Sequence, residues 1–226
     1  MIEQDPYFIA DPDAIETPAM VVFEAQLEAN IAELCELVGG GANLMAHVKT
    51  HKSDAIVCRQ LAAGIAGFKC ATLKELEMAL DAGAPEAILS YPIVQSLKAD
   101  RFAQIADAHP AARVYATIGD SAHIAALAAV AVGRERPLLV MLDLDVGMHR
   151  TGASLQGAEQ LYASIQASAG LEAAGIHAYD GHEHFQDPDG RAGAAQKHIE
   201  DLKALKGRLE GAGLPVPRIV AGGSFS

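Results

Sequence analysis

The chain has no tryptophan, and its few tyrosines and phenylalanines bring the aromatic share to only 5%, so its core must come mainly from aliphatic side chains. Cysteine is scarce. Cys35, Cys58 and Cys70 are odd in number, widely spaced, and form no Cys-x-x-Cys pair. They suit reduced thiols buried in the core better than a disulfide frame or a thiolate zinc site. Basic runs are absent, the net charge is -12 and the pI is near 5.1. That balance argues against nucleic acid or an anionic membrane as partner, and any anionic ligand must be caught by cations placed locally. No apolar run approaches the ~20 residues that cross a bilayer. The acidic start Met1-Ile2-Glu3-Gln4-Asp5-Pro6 lacks the positive and apolar regions of a signal peptide. These absences predict a cytoplasmic, soluble protein.

What is present describes an ordinary globular chain: 226 residues, 50% hydrophobic and 20% charged, enough for one large core. Residues 1–18 hold Pro6, Pro12 and Pro18 and read as an irregular lead-in; 19–226 read as a single domain, with no linker dividing it. Within it, an apolar strand, a polar turn, an amphipathic helix and a glycine recur. The first strand is read at Ala19–Phe23, followed by a helix with Leu27, Ile31, Leu34 and Leu37 on one face, ending at Gly39-Gly40-Gly41. Further strands centre on Met45, Phe68, Ile88, Tyr115, Leu139, Ile176 and Ile219. Helices are expected over 53–63, 95–108, 120–132 and 198–209, and Thr72-Leu73-Lys74-Glu75 is a capping box opening another. Eight strand-helix units at near-regular spacing favour an α/β fold closed as a (β/α)8 TIM-like barrel.

Chemistry concentrates where strands end. The run Asn43-Leu44-Met45-Ala46 leads into His47-Val48-Lys49-Thr50-His51-Lys52, and Ser53 stands ready as a helix N-cap. On an extended segment His47 and Lys49 share a face, and a lysine enclosed by apolar walls loses proton affinity, which suits covalent chemistry with a carbonyl. Lys52 fits a solvated surface lysine. Asp143–Gly152, Tyr179–His184 and Gly222-Gly223-Ser224 all follow strands, as an active site at the C-terminal face of a barrel requires.

The His-Val-Lys-Thr-His-Lys stretch resembles the lysine motif of the fold-type III pyridoxal phosphate enzymes of the D-threonine aldolase and D-serine dehydratase group. The likeness extends to Ile15–Val22 as the entry strand, to Asp143-Leu144-Asp145-Val146-Gly147-Met148-His149-Arg150-Thr151-Gly152, to His177-Ala178-Tyr179-Asp180-Gly181-His182, and to Gly222-Gly223-Ser224. One departure is visible: Met45-Ala46 stand where the family often has Arg-Pro. The resemblance implies a barrel of the alanine-racemase N-terminal-domain type without its C-terminal β domain. Lys49 is then the catalytic residue, holding pyridoxal 5'-phosphate, with Arg150 and Tyr179 beside the cofactor and Gly222, Gly223 and Ser224 at its phosphate.

The implied activity is a lyase acting on a β-hydroxy D-amino acid, by retro-aldol cleavage of a D-threonine-like substrate to glycine and an aldehyde. The alternatives are a D-serine dehydratase, a racemase of the same fold, or a non-catalytic pyridoxal phosphate homeostasis protein. In the resembling families a divalent metal (Mn or Zn) assists, held by a His-x-Cys or His-x-Asp pair in a later β domain, and the full-length protein leaves room for a homodimer. The sequence stops at Ser226, directly after the eighth expected strand, so a shortened chain and weak or absent activity are expected. Residue by residue, Arg150 reads either as a cofactor contact or as a surface ion pair with Asp143 or Asp145. His177, His182 and His184 with Asp180 and Glu183 are the densest cluster of ligand-type side chains, yet no metal ligand is assigned to them.

Overall fold

Alternation inside short strands decides the architecture. In the computed structural model, which describes residues 7–223, seven strands pair in chain order and all in parallel: β1 (Met45–His47), β2 (Gly67–Cys70), β3 (Glu86–Leu89), β4 (Arg113–Ile118), β5 (Leu138–Leu144), β6 (Leu171–Ala178) and β7 (Ile219–Ala221). Seven helices connect or flank them: α1 (Glu24–Leu37), α2 (Asp54–Ala62), α3 (Leu73–Asp81), α4 (Ser96–Ala108), α5 (Ser121–Ala131), α6 (Ala158–Ala167) and α7 (Pro188–Gly211). The sheet curls into a nearly closed barrel. Phe68, Cys70, Ala87, Leu89, Val140 and Leu142 point outward into one large apolar cluster shared with the helices. The alternate residues Ile88, Tyr115 and Met141, with Ala174 and Val220, form a second cluster inside the barrel.

The helices cover the strands as their apolar periods dictate. Leu76 and Leu80 of α3, Phe102 of α4, Leu127 of α5 and Leu202, Leu205 and Leu209 of α7 are all buried in the outer cluster. At the base, Arg218 ion-pairs with Glu86, and the Tyr115 hydroxyl donates to the same Glu86 oxygen at 3.4 Å. This links the start of β7 to β3 and β4 across the barrel floor. Gly175 lies at φ +138 where a Cβ would stand 2.1 Å from the Arg218 carbonyl oxygen, so β6 can meet the chain there only as glycine. No helix among the described residues is long and apolar enough to cross a membrane.

Several expectations are corrected. Among the described residues the barrel has seven hydrogen-bonded strands, one fewer than the eight expected. The run Ala19–Phe23 is not a strand, and Met20 remains 59% exposed. Apolar composition signals that a segment suits a sheet, but a strand exists only where neighbours offer a ladder, and here the sheet ends at β1 and β7 are three residues each. In α1 only Ile31 is buried while Leu34 and Leu37 are exposed. Ile199 is likewise exposed, and Cys58 lies at the surface. Helix α6 was not anticipated, because alanines at 158, 163 and 167 weaken its apolar stripe. Helix α7 begins ten residues before its expected start at His198, with Pro188 at its first position and Asp187 accepting from Gly190 N at 2.7 Å.

One ion pair, between the exposed Lys52 and the buried Glu75, anchors the lysine segment to α3. Thr72 Oγ1 accepts from Glu75 N at 3.1 Å, and Glu75 Oε2 reaches back to Ala71 N at 2.7 Å, one residue earlier than a standard capping box. Glu75 Oε1 accepts from Lys52 Nζ at 2.9 Å. Burial by itself would raise the Glu75 carboxyl, but the hydrogen bonds from Lys52 and Ala71 outweigh it and hold the group below its ordinary value. A carboxyl depressed on folding stabilises fully above its unfolded value of ~4.3, and that contribution is lost as pH falls through the lower folded value. Glu75→Gln is therefore expected to lower stability by about 1 kcal/mol at pH 7, with a smaller difference at pH 3. Urea unfolding at the two pH values checks this, and an equal loss at both would contradict it.

Candidate active site

The lysine segment is locally prescribed. β1 ends at His47, and Val48–Thr50 turn at once into a 3-10 helix. His47 Nδ1 accepts from Lys49 N at 3.3 Å, Lys52 N donates to Val48 O at 2.8 Å, and His51 Nδ1 accepts from Ser53 N at 3.1 Å. Ser53 Oγ then accepts from Ile56 N at 3.4 Å, starting α2 as expected. Lys49 thus leaves the barrel rim on a turn, not on the strand, yet it still lines one cavity with His47. Lys52 faces away from that cavity, toward Glu75.

The cavity sits over the C-terminal ends of the strands. Its wall includes His47, Lys49, Lys69, Ser90, Tyr91, Asp143, Arg150, His177 and Tyr179. Inside the barrel the apolar layer of Ile88, Tyr115 and Met141 gives way, one pleat higher, to His47, Lys69, Thr117, Asp143 and His177. Lys69 is the residue that sequence reading missed. It lies on β2 beside His47, 8% exposed, and burial first, then the nearby Lys49 and Arg150 charges, push its amine down to about 8 against the attraction of Asp143 and Asp180. The enclosure expected at Lys49 is found at Lys69 instead, while Lys49 is exposed. Its signal was available: a lysine at an inward position of the strand Gly67-Phe68-Lys69-Cys70.

Asp143 organises this layer. Its Oδ1 lies 2.6 Å from His177 Nδ1, and its Oδ2 accepts from Thr151 Oγ1 at 3.1 Å. Burial lowers the His177 proton affinity more than Asp143 raises it, so the ring is neutral, with Nδ1–H donating to the carboxylate. Among the described residues His177 Nε2, then an acceptor, is buried without a partner, and Ser90 Oγ in the same wall is equally unpaired. His47 is held down to about 4 by burial, Lys49 and Lys69, so it too is neutral.

Three cations surround the Tyr179 ring: Arg150 at 5.3 Å from its centroid, Lys69 at 5.3 Å and Lys49 at 5.9 Å. Arg150 also stacks on Tyr91 at 5.1 Å. Asp143 is engaged by His177 and Thr151, and Asp145 by His149 at 2.8 Å, while Arg150 lies against the two rings. Gly181 leaves room for the Tyr179 hydroxyl, which lies 2.0 Å from where its Cβ would be. Gly222 has φ +104, and a Cβ on Gly223 would meet Asp180 Oδ1 at 2.7 Å and the Gly181 backbone at 3.3 Å. Ser224 lies outside the described residues. The histidine cluster divides: His177 belongs to the barrel, whereas His182 joins Glu183 and His198 of α7.

This wall fits the group that the resemblance implies. An aromatic aldehyde carrying a phosphate needs an accessible amine, concentrated positive charge and polar atoms free to bond it. Lys49, the Arg150 and Lys69 cations, and the unpaired His177 Nε2 and Ser90 Oγ supply these. Comparison with known proteins agrees on the fold. The family described as alanine racemase, N-terminal domain, matches residues 23–226, and the chain belongs to it.

Similarity is also found to D-threo-3-hydroxyaspartate dehydratase of Delftia sp. (strain HT23), 28% identical over 214 residues, covering 92% of this chain and 55% of that protein. D-threonine aldolase of Arthrobacter sp. is 27% identical over 221 residues, 96% of this chain and 57% of the relative. The crystal structure of D-threonine aldolase from Filomicrobium marinum superposes with a TM-score of 0.85 at 27% identity, over 94% of this chain and 57% of that one. The chain thus spans about half the length of these relatives.

Because Lys69 is buried among opposing charges, its titration reports the cavity directly. Competitive acetylation followed by peptide mass spectrometry is expected to give Lys69 an apparent value near 8, against ~10.4 for an ordinary lysine. Asp143→Asn removes an attraction that raises it, so the value should fall further. A rise in that variant would show that Asp143 does not act on the amine.

Proposed function

We propose that this chain is the cofactor-binding barrel of a pyridoxal phosphate-dependent lyase acting on β-hydroxy D-amino acids, in the manner of a D-threonine aldolase. The observation that supports it most is the gathering of Lys49, Lys69 and Arg150 around Tyr179, above the Asp143–His177 pair, in one cavity at the strand ends. D-Threonine and D-threo-3-hydroxyaspartate, named in the relatives, share a hydroxyl one carbon from an amine-bearing carbon, which is the substrate class adopted here. When bound, the cofactor withdraws electrons from bonds at that carbon.

The chain's own residues bind, orient and move protons. Lys49, exposed at the rim, would hold the cofactor through its ε-amine, within reach of an entering substrate amine. Arg150, fixed between the Tyr91 and Tyr179 rings, places a permanent charge beside the cofactor and attracts the substrate carboxylate. Lys69 near pH 8 is partly neutral, so its Nζ is able to accept or return a proton in the cavity. Asp143 fixes the His177 tautomer, leaving Nε2 as an acceptor toward the cavity. Gly222 and Gly223 bring backbone close to the phosphate end.

A dehydratase is the second reading, favoured by the comparable similarity to D-threo-3-hydroxyaspartate dehydratase. The two part on products: D-threonine cleaved to glycine and acetaldehyde, or D-threo-3-hydroxyaspartate giving oxaloacetate and ammonia. The binding test precedes them. With pyridoxal phosphate and then borohydride, peptide mapping is expected to place the label on Lys49 and to lose it in Lys49→Ala. Arg150→Met is expected to weaken cofactor affinity on the order of tenfold in an absorbance titration. Label on Lys69, or no label, would overturn the assignment of Lys49, and turnover of neither substrate by the unreduced, cofactor-loaded full-length protein would overturn the lyase reading.

A further inference from the structure

Outside the cavity wall, one cluster has the composition and spacing of a metal centre. Glu183 Oε1 stands 3.2 Å from His182 Nε2 and 3.1 Å from His198 Nε2, and one ligand-type atom from each residue lies within 4.8 Å of the others. We propose that His182, Glu183 and His198 bind a divalent transition metal of the zinc class, with a fourth position left for water or a substrate oxygen.

The distances support coordination. Tetrahedral zinc with bonds of ~2.0–2.1 Å holds its ligand atoms about 3.3 Å apart. Two of the three edges are already close to that, and a small rotation of the partly exposed rings closes the third. Two imidazoles and one carboxylate form a set that zinc favours, and three protein ligands with an open position mark reactive rather than purely structural sites.

The scaffold is organised without the ion. Glu183 N donates to Asp180 O at 2.9 Å. Arg191 of α7 donates from Nη1 to the carbonyls of Phe185 and Gln186, each at 3.0 Å. The 182–186 segment is thereby tied to the helix that carries His198, so binding need not order a loose loop. On the other side, His182 Nε2 lies 2.6 Å from where a Gly147 Cβ would be. Gly147 belongs to the same loop as Met148 and Arg150, which line the cavity. The metal would sit at the cavity rim and staple the loops after β5 and β6 to α7. Every ligand lies within this chain, and the site does not depend on the cofactor reading.

The test is zinc binding by the metal-stripped chain without pyridoxal phosphate, measured by competition with a chromophoric chelator. It uses a Cys58→Ser background to remove the exposed thiol. One zinc per chain is expected, with a rise in melting temperature on loading. His198→Gln and Glu183→Gln should each weaken binding about 100-fold or more and abolish that rise, while His109→Gln, at the C-terminal cap of α4, should change neither. Circular dichroism and metal-free melting establish that the variants are folded, and the two substitutions on separate elements keep the result interpretable if one fails to fold. Absence of stoichiometric zinc, or binding unchanged in the folded His198→Gln or Glu183→Gln chain, would overturn the proposal.

Discussion

A carboxylate buried in the middle of a barrel has to be surrounded by donors and cations, and Asp143 is that group here. It sits on β5, 3% exposed, and takes hydrogen bonds from His177 on β6 and Thr151 in the following loop while facing the amine of Lys69 on β2. Removing a charge from water costs several kcal/mol unless it is paired and hydrogen-bonded. The inner strand positions near Asp143 are therefore fixed together. The loop from Asp145 to Gly152 is folded back onto β5 by Ala153 N to Asp143 O at 2.8 Å and Asp145 N to Ala153 O at 3.0 Å, which carries Arg150 to the Tyr91 and Tyr179 rings.

The same constraint explains how an acidic chain concentrates positive charge. A net charge of -12 is spread over the surface, but Lys49, Lys69 and Arg150 crowd about one aromatic ring. Such crowding lowers the affinity of the most buried member, Lys69, for its proton. It also makes the cavity a place where an anion gains more than it would in water. Neutral His47 and His177 add no further positive charge, so they serve as hydrogen-bonding groups of fixed tautomer at neutral pH.

Much of this was legible from residue order. The spacing of apolar runs gave parallel strands joined by helices, and β5 and β6 contain the expected strand centres Leu139 and Ile176. Short motifs placed Lys49, Arg150 and Tyr179 at strand ends because polar side chains that abruptly close an apolar run mark the exposed rim of a sheet. The failures are equally physical. Ala19–Phe23 had the composition of a strand without neighbours to pair with, and Leu34 and Leu37 of α1 had a helical period but remain exposed. Composition and period describe what a segment is able to bury, not whether a partner is there.

Sequence by itself determined the fold class, the Ser53 cap that follows the lysine segment, and the presence of the Asp143–Gly152 and Tyr179–His184 loops, since each rests on periodicity or on side chains acting within a few residues. Tertiary structure alone decided which lysine is desolvated, that His177 pairs with Asp143 34 residues away, and that His182 meets His198 of α7. These depend on strand register and on how far helix α7 extends, and inter-element distances of that kind are set by packing across the barrel, which no local pattern of residues encodes.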